Sequence, residues 1–304
     1  MVNRLQYDNI TWIDVLGPTE QDIAILAKEF GIDPVVAHDL LTPTPKSKVE
    51  VSENYFYTVL HFPVSKHTHL EDSTVQEVDF IVGKNFVITV RYEMIDALER
   101  LAKEVEVKAI VNKNMDRKNG NFLFFIMLKE LYESIENELA YVNDWMLVIE
   151  KGIFMGKERE MTISLSHALR VLLDFKKAMR QHGHILPAIS LSGKKIFGED
   201  FGFQIEALET EHAYILETIN NHNESAVELR ETNNSLLSTK QNEVMKTLTI
   251  ISFIMLPLSL IAGIFSMNTT LPIVGTKGDF LIVIGIMLAS ALAVFSLFKK
   301  NKWI

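Results

Sequence analysis

Two long apolar runs close the chain, and the residues before them mix apolar and polar positions in shorter periods. No charged residue occurs from Thr247 to Thr276, and none from Phe280 to Phe298; Lys277 and Asp279 lie between the runs. A bilayer core about 30 Å thick takes roughly 20 apolar helical residues. Leu248–Phe265 and Phe280–Phe298 each supply one such span. A buried soluble hairpin is the other reading, but soluble domains rarely place two uncharged runs of this length side by side. Pro272, Gly275 and Gly278 make the connection a loop.

Upstream, the pattern changes twice. Ile10–Val15 and Asn54–Val64 are β-branched and aromatic and read as strands. Thr74–Val82 and Asn85–Tyr92 flank Gly83–Lys84, a hairpin signal. Thr19 and Asp22 have capping-box spacing, and Pro34 follows Asp33 at the first position of a short helix ending near Leu41. Residues 1–92 therefore form a small α/β module. Residues 93–202 read as helical: Met94–Asn112, Asn121–Glu150 and Glu158–Gln181, then a break over Gly183–Gly202 containing Pro187, Gly193 and Gly198. No Gly or Pro follows from Phe203 until Pro257, so one helix is expected from the stalk, 203–246, into the first span. Its middle is polar, and Ile215, Ile219, Val227, Leu229, Leu236, Leu237 and Val244 form only a partial stripe. A helix with so little apolar surface is marginal alone and is expected to pack against copies of itself.

Composition sharpens this layout. The chain has 304 residues, 48% hydrophobic and 23% charged, which excludes disorder as its main state. It has no cysteine, which removes disulfides, thiolate metal sites and thiol catalysis. The net charge of −9 argues against a nucleic-acid partner. Residues 247–304 hold four basic side chains and one acidic one. An acidic body thus precedes a slightly basic, apolar tail. Lys240 and Lys246 precede the first span, and Lys299, Lys300 and Lys302 follow the second. The positive-inside rule places both ends in the cytoplasm and the loop 269–279 outside, with 299–304 as a cytosolic basic tail and Trp303 as an interfacial anchor. The N-terminal residues show no apolar core of a signal peptide.

One side of the first span carries the candidate chemistry. Asn242, Met245, Leu248 or Thr249, Ser252, Leu256, Ser259 and Gly263 recur at spacings of three or four and share a face. Small hydroxyl residues in a membrane helix either mediate helix packing or line a water-filled path. Two spans cannot enclose such a path, so a conduit needs several subunits.

At this point the sequence resembles the CorA-type magnesium transporters. Residues 242–251 (NEVMKTLTII) and 255–268 (MLPLSLIAGIFSMN) resemble that family's first span, whose hallmark is Gly-Met-Asn at the outer end. Here the tripeptide is Ser266–Met267–Asn268. The closing residues 298–304 (FKKNKWI), together with Trp12–Asp14, Phe30–Pro34, Asp39–Leu41 and 83–90 (GKNFVITV), are similar too, in order and over nearly the whole chain.

The resemblance implies a funnel-shaped homopentamer: a cytosolic α/β module, a long helical stalk and two transmembrane helices (247–268, lining the pore, and 280–298) in the inner membrane. It implies Mg²⁺ influx, with Co²⁺ or Ni²⁺ as further cargo, and Mg²⁺ as a regulatory ion. Ser266, Met267 and Asn268 would form the selectivity filter, with five Asn268 amides holding the waters of the hydrated ion. Asn268 could otherwise simply end the helix. Asn242 and Ser259 would form polar rings; Met245, Leu248 and Leu256 would form an apolar constriction that closes by dewetting. Asp39 matches the family's regulatory carboxylate. Ala207 falls where its stalk partner is expected, flanked by Glu206 and Glu209. This leaves the sensor shifted, weakened or absent. Two departures bear on rate and ion preference: Ser at 266, and no carboxylate in Thr269–Gly278.

His67–Thr68–His69 and His182–Gly183–His184 have short metal-like spacing but read as loop pairs without further convergent ligands. No phosphate loop, nucleophile motif or catalytic carboxylate pair is apparent, so no enzyme is expected. A zinc transporter of the same superfamily and a non-conducting membrane-anchored binding protein are the other readings.

Overall fold

The computed structural model describes residues 1–7, 9–65, 73–111, 119–267 and 279–300. Six strands form one mixed sheet: β1 (Val2–Tyr7), β2 (Ile10–Leu16), β3 (Lys48–Val51), β4 (Tyr55–Ser65), β5 (Ser73–Gly83) and β6 (Phe86–Arg91), in the order β1-β2-β6-β5-β4-β3. The β2–β6 pair is parallel and the others are antiparallel. Both faces of the sheet are covered, which is why β6 and the middle of β5 read as nearly continuous apolar runs.

On one face lie α1 (Glu20–Phe30) and α2 (Pro34–Asp39). Both begin as the sequence anticipates. The Thr19 hydroxyl accepts the Asp22 N–H at 3.2 Å, and the Asp33 carboxylate accepts the Val35 N–H at 2.8 Å ahead of Pro34. Ile23, Leu26 and Val36 from these helices bury against Ile13, Val15, Tyr57, Val59, Ile81, Ile88 and Val90.

The other face carries the larger core. Trp12, Phe56, Leu60, Phe62, Val78, Phe80 and Val82 meet α3 (Asp96–Val111), α4 (Gly120–Phe154), α5 (Glu158–Phe197) and the first part of α6 (Glu199–Ser266). From α6, Phe201, Ile205, Leu208, Ile215, Ile219 and Ala226 enter this core at helical spacing. The stripe was therefore expected to need copies of the chain at Ile215 and Ile219, yet the chain's own core buries both.

The break expected over residues 183–202 is much narrower. α5 runs through Gly183 and Pro187 to Phe197, and the chain turns at Gly198, whose φ is 90°. α6 then starts at Glu199, four residues before the expected Phe203. The two helices approach closely. A Cβ on Gly193 would lie 1.9 Å from the Phe201 ring, so glycine makes that contact possible. The strands β1 and β3 were not anticipated.

The chain divides into two compact units, residues 1–231 and 232–304. In the second, α6 continues to Ser266 and α7 (Asp279–Lys300) provides the second apolar helix.

Candidate functional site

Both α6 and α7 contain stretches long and apolar enough to cross a bilayer. Their half-buried residues fall on one stripe each. On α6, Thr249 apart, these are Ile250, Ile254, Pro257, Leu258, Ile261 and Phe265; on α7 they are Val283, Ile284, Met287, Ser290, Ala291, Val294 and Phe298. The rings of Phe253 and Phe298 meet edge to face, 6.0 Å between centroids. Positions 250, 254, 258 and 261 lie about two residues, or half a helical turn, from 252, 256, 259 and 263. The side of α6 bearing Ser252, Leu256, Ser259 and Gly263 is thus turned away from the stripe shared with α7, and all four are exposed. Towards the N-terminal end of the apolar run, Asn242, Met245 and Leu248 are exposed too, Thr249 is half-buried, and every residue from 238 to 248 is uncovered.

Two hydroxyls on this segment share one orientation. Thr249 donates to the Met245 carbonyl at 2.8 Å and Ser252 to the Leu248 carbonyl at 2.9 Å. Their oxygens are left as acceptors. Ser266, the last residue of α6, donates to the Gly263 carbonyl at 2.9 Å, and the Met267 N–H reaches the Ile264 carbonyl at 3.3 Å. Serine at this position is therefore compatible with a helix ending there. Met267 is exposed. Asn268, the loop 269–278 and residues 301–304, with Trp303, lie outside the described residues.

The carboxylates expected to sense metal do not converge within one chain. Asp39, at the end of α2, forms an ion pair with Lys48, which also binds Glu50 at 2.7 Å. Burial alone would lower the Lys48 pKa; the bonds to Asp39 and Glu50 outweigh it and leave it raised, so Asp39 faces a permanent cation. Glu206 is exposed and Glu209 half-buried on α6. No three His, Asp or Glu side chains among the described residues are arranged to hold a metal.

A polar cluster that local sequence patterns do not reveal sits midway along β4 and β5, where His61 pairs with Glu77. The Glu77 carboxylate accepts the Thr44 N–H at 2.7 Å and its hydroxyl at 2.9 Å, and lies 3.4 Å from His61 Nε2. Burial would lower the His61 pKa, but its bonds to Glu77 and to the Thr44 carbonyl leave it raised. Asp79 is raised well above the usual carboxylate range, chiefly by burial and then by the Glu77 charge. A cavity of about 420 Å³ opens here, lined in part by Thr44, His61, Gln76, Glu77, Tyr92 and Lys177. The one available signal was a pair of acids, Glu77 and Asp79, two residues apart and so on one face of the strand.

The two histidine pairs have different outcomes. His67 and His69 lie outside the described residues. His182 is not in a loop; it is fully buried inside α5, whereas His184 is exposed. His182 Nε2 donates to the His61 carbonyl at 2.9 Å, so Nδ1 accepts from the Tyr132 hydroxyl at 2.9 Å. Burial pushes its pKa down to about 3, and the ring stays neutral. Both nitrogens are occupied, which excludes the pair as a metal site.

A sheet domain, a helix continuing from it into an uncharged run, and a second apolar helix define a two-span membrane protein whose second helix leaves one side of the first uncovered. Comparison with known proteins agrees. The family described as CorA-like Mg2+ transporter protein matches residues 7–300. The cobalt/magnesium transport protein CorA of Thermotoga maritima is 28% identical over 299 residues, covering 97% of this chain and 83% of that protein. The protein of the same name from Methanocaldococcus jannaschii is 22% identical over 296 residues, covering 97% and 92%. The complete structure of the CorA magnesium transporter from Methanocaldococcus jannaschii superposes with a TM-score of 0.85 at 21% identity, covering 99% of this chain and 94% of that one. The chain belongs to the CorA family: it is a divalent-cation transporter of the membrane, in a family of ion transporters and not of enzymes.

Proposed function

We propose that five copies of this chain surround a central path for hydrated Mg²⁺, each contributing the exposed side of α6. The observation that carries this reading is the segregation of α6 into a stripe shared with α7 and an opposite, uncovered side bearing Asn242, Ser252 and Ser259 among Met245, Leu248 and Leu256. A second copy of that side supplies the cover that the exposed stretch 238–248 needs. The side offers amide and hydroxyl oxygens and no histidine, a donor set suited to Mg²⁺ and its waters and poorly suited to Zn²⁺. Co²⁺ and Ni²⁺, if they pass, do so on the same oxygens.

Asn268 selects at the outer end with Ser266 and Met267, and Met245, Leu248 and Leu256 close the path when it dries. The termini are cytoplasmic. Cytosolic Mg²⁺ favours closure by bridging Asp39 of one copy to Glu206 and Glu209 of the next. The internal Lys48 partner of Asp39 makes this sensor a weak one.

Growth of a magnesium-dependent strain tests the reading. The wild-type chain restores growth, and Asn268→Ala abolishes the rescue while the assembled protein stays in the membrane. Zinc uptake without magnesium uptake would transfer the protein to the zinc branch. Absence of flux from assembled protein, also with Ser266→Gly, would make it a non-conducting binding protein.

A further inference from the structure

Leu248, Ser252 and Leu256 follow one another at intervals of four, about 6 Å apart along the axis of α6. All three are exposed; the two leucines retain 56% and 67% of their surface. The Ser252 hydroxyl therefore sits midway between two apolar side chains that, in a ring of copies, form the drying constriction. Its proton is committed to the Leu248 carbonyl at 2.9 Å, so the oxygen acts toward the path only as an acceptor. Thr249, three residues before it, commits its proton in the same way to the Met245 carbonyl.

Waters held by a divalent cation turn their hydrogens outward. A wall that is to receive them must supply acceptors, and Mg²⁺ sheds its waters reluctantly. An apolar side chain at 252 would leave this side without an acceptor between Thr249 and Leu256. Resting on the pore reading above, we propose that Ser252 is a specificity- and rate-determining residue: its oxygens form a wetting point that divides the apolar gate into two short necks. The ion crosses each neck with its water shell and is met between them by oxygen lone pairs. The same acceptor-only orientation disfavours anions, which require donors.

The test uses the full-length chain in liposomes held inside-negative, with a Mg²⁺-sensitive dye in the lumen. Ser252→Thr and Ser252→Val form a pair of nearly equal shape that differs in the hydroxyl, and Ser252→Ala removes the oxygen with the least steric change. Ser252→Thr keeps the wild-type rate. Ser252→Val and Ser252→Ala slow Mg²⁺ entry about tenfold, the loss expected when one hydrogen bond is missing at the highest point of the path. The external Mg²⁺ concentration giving half the maximal rate stays unchanged, because the outer mouth is intact; a general structural defect would not separate the two parameters in this way. Equal rates for the Thr and Val variants, in particles of wild-type mass, would overturn the role of Ser252 and leave the pore standing. No Mg²⁺ entry through the wild-type chain would overturn the pore reading itself, and this assignment with it. If Ser252→Ala fails to assemble, the Thr and Val pair decides.

Discussion

His182 shows how a buried ring couples folding to acidity. It makes two hydrogen bonds, to Tyr132 and to the His61 carbonyl, and stacks 6.2 Å from His212. Its pKa of about 3 lies below the ordinary histidine value, because burial disfavours the cation. The unfolded chain therefore binds more protons than the native one between about pH 6.5 and about pH 3. The stabilisation is complete above about pH 6.5 and drains away as the pH falls toward about 3. His61 acts in the opposite sense. Its raised pKa gives a contribution that is full at low pH and lost as the pH rises through the native value. Equilibrium unfolding of the full-length protein in detergent checks the first term. His182→Gln is expected to cost about 1–3 kcal/mol at pH 7.5 through poorer hydrogen bonding. Its stability should fall less steeply than that of the wild type between pH 6.5 and 4.5. Parallel slopes would show that His182 does not titrate on unfolding. None of this was visible from local spacing, which presented His182 only as half of an ordinary-looking pair. The same holds for Arg91, which binds Asp14 through Nε and Nη2 and also pairs with Glu99. Asp14 lies 77 residues away in sequence, and only the parallel pairing of β2 with β6 brings the two together.

At the scale of elements, legibility followed the strength of local signals. The Gly83–Lys84 hairpin and the caps of α1 and α2 were readable, because turn and cap chemistry acts within a few residues. β1 and β3 escaped notice because they are edge strands: Arg4 after Asn3 breaks the alternation in β1, and β3 has only four residues. The exaggerated break before α6 has a different cause. Gly183, Pro187 and Gly193 look like punctuation, but they lie inside a helix held by its neighbours. Pro187 forgoes one bond, to the Gly183 carbonyl, while Gly193 accepts the Phe201 ring at a distance no other residue permits. Gly193→Ala is accordingly expected to destabilise the fold by about 1–3 kcal/mol, the usual cost of overpacking a close contact. Thermal or denaturant unfolding measures it. A neutral outcome would mean that Phe201 has an alternative position at no cost. In α6 the spacing of three and four residues exposed the polar side of the first span from sequence alone. The location of α7 against the opposite stripe, and the direction in which Thr249 and Ser252 point their protons, required coordinates.

Across the whole molecule, the sharp change in composition at residue 247 was the strongest message in the chain. It marked the membrane segment before any fold was known. The carboxylates proposed to bind a regulatory ion were legible only as positions. Asp39 carries its own cation, and among the described residues it joins no metal-holding group with Glu206 and Glu209. A bridge between them needs two copies, which no one-chain pattern displays. The two unlike sides of α6 also have a practical consequence in a protein without native sulfhydryls. Single cysteines placed one by one from 245 to 263 would each report their surroundings to a charged, bilayer-impermeant alkylating reagent without background. Labelling should rise and fall every three to four positions, fast at 252, 256 and 259 and slow at 250, 254, 258 and 261. A phase set by those peaks would show which side of the helix meets bulk water, and a flat profile would place lipid on both.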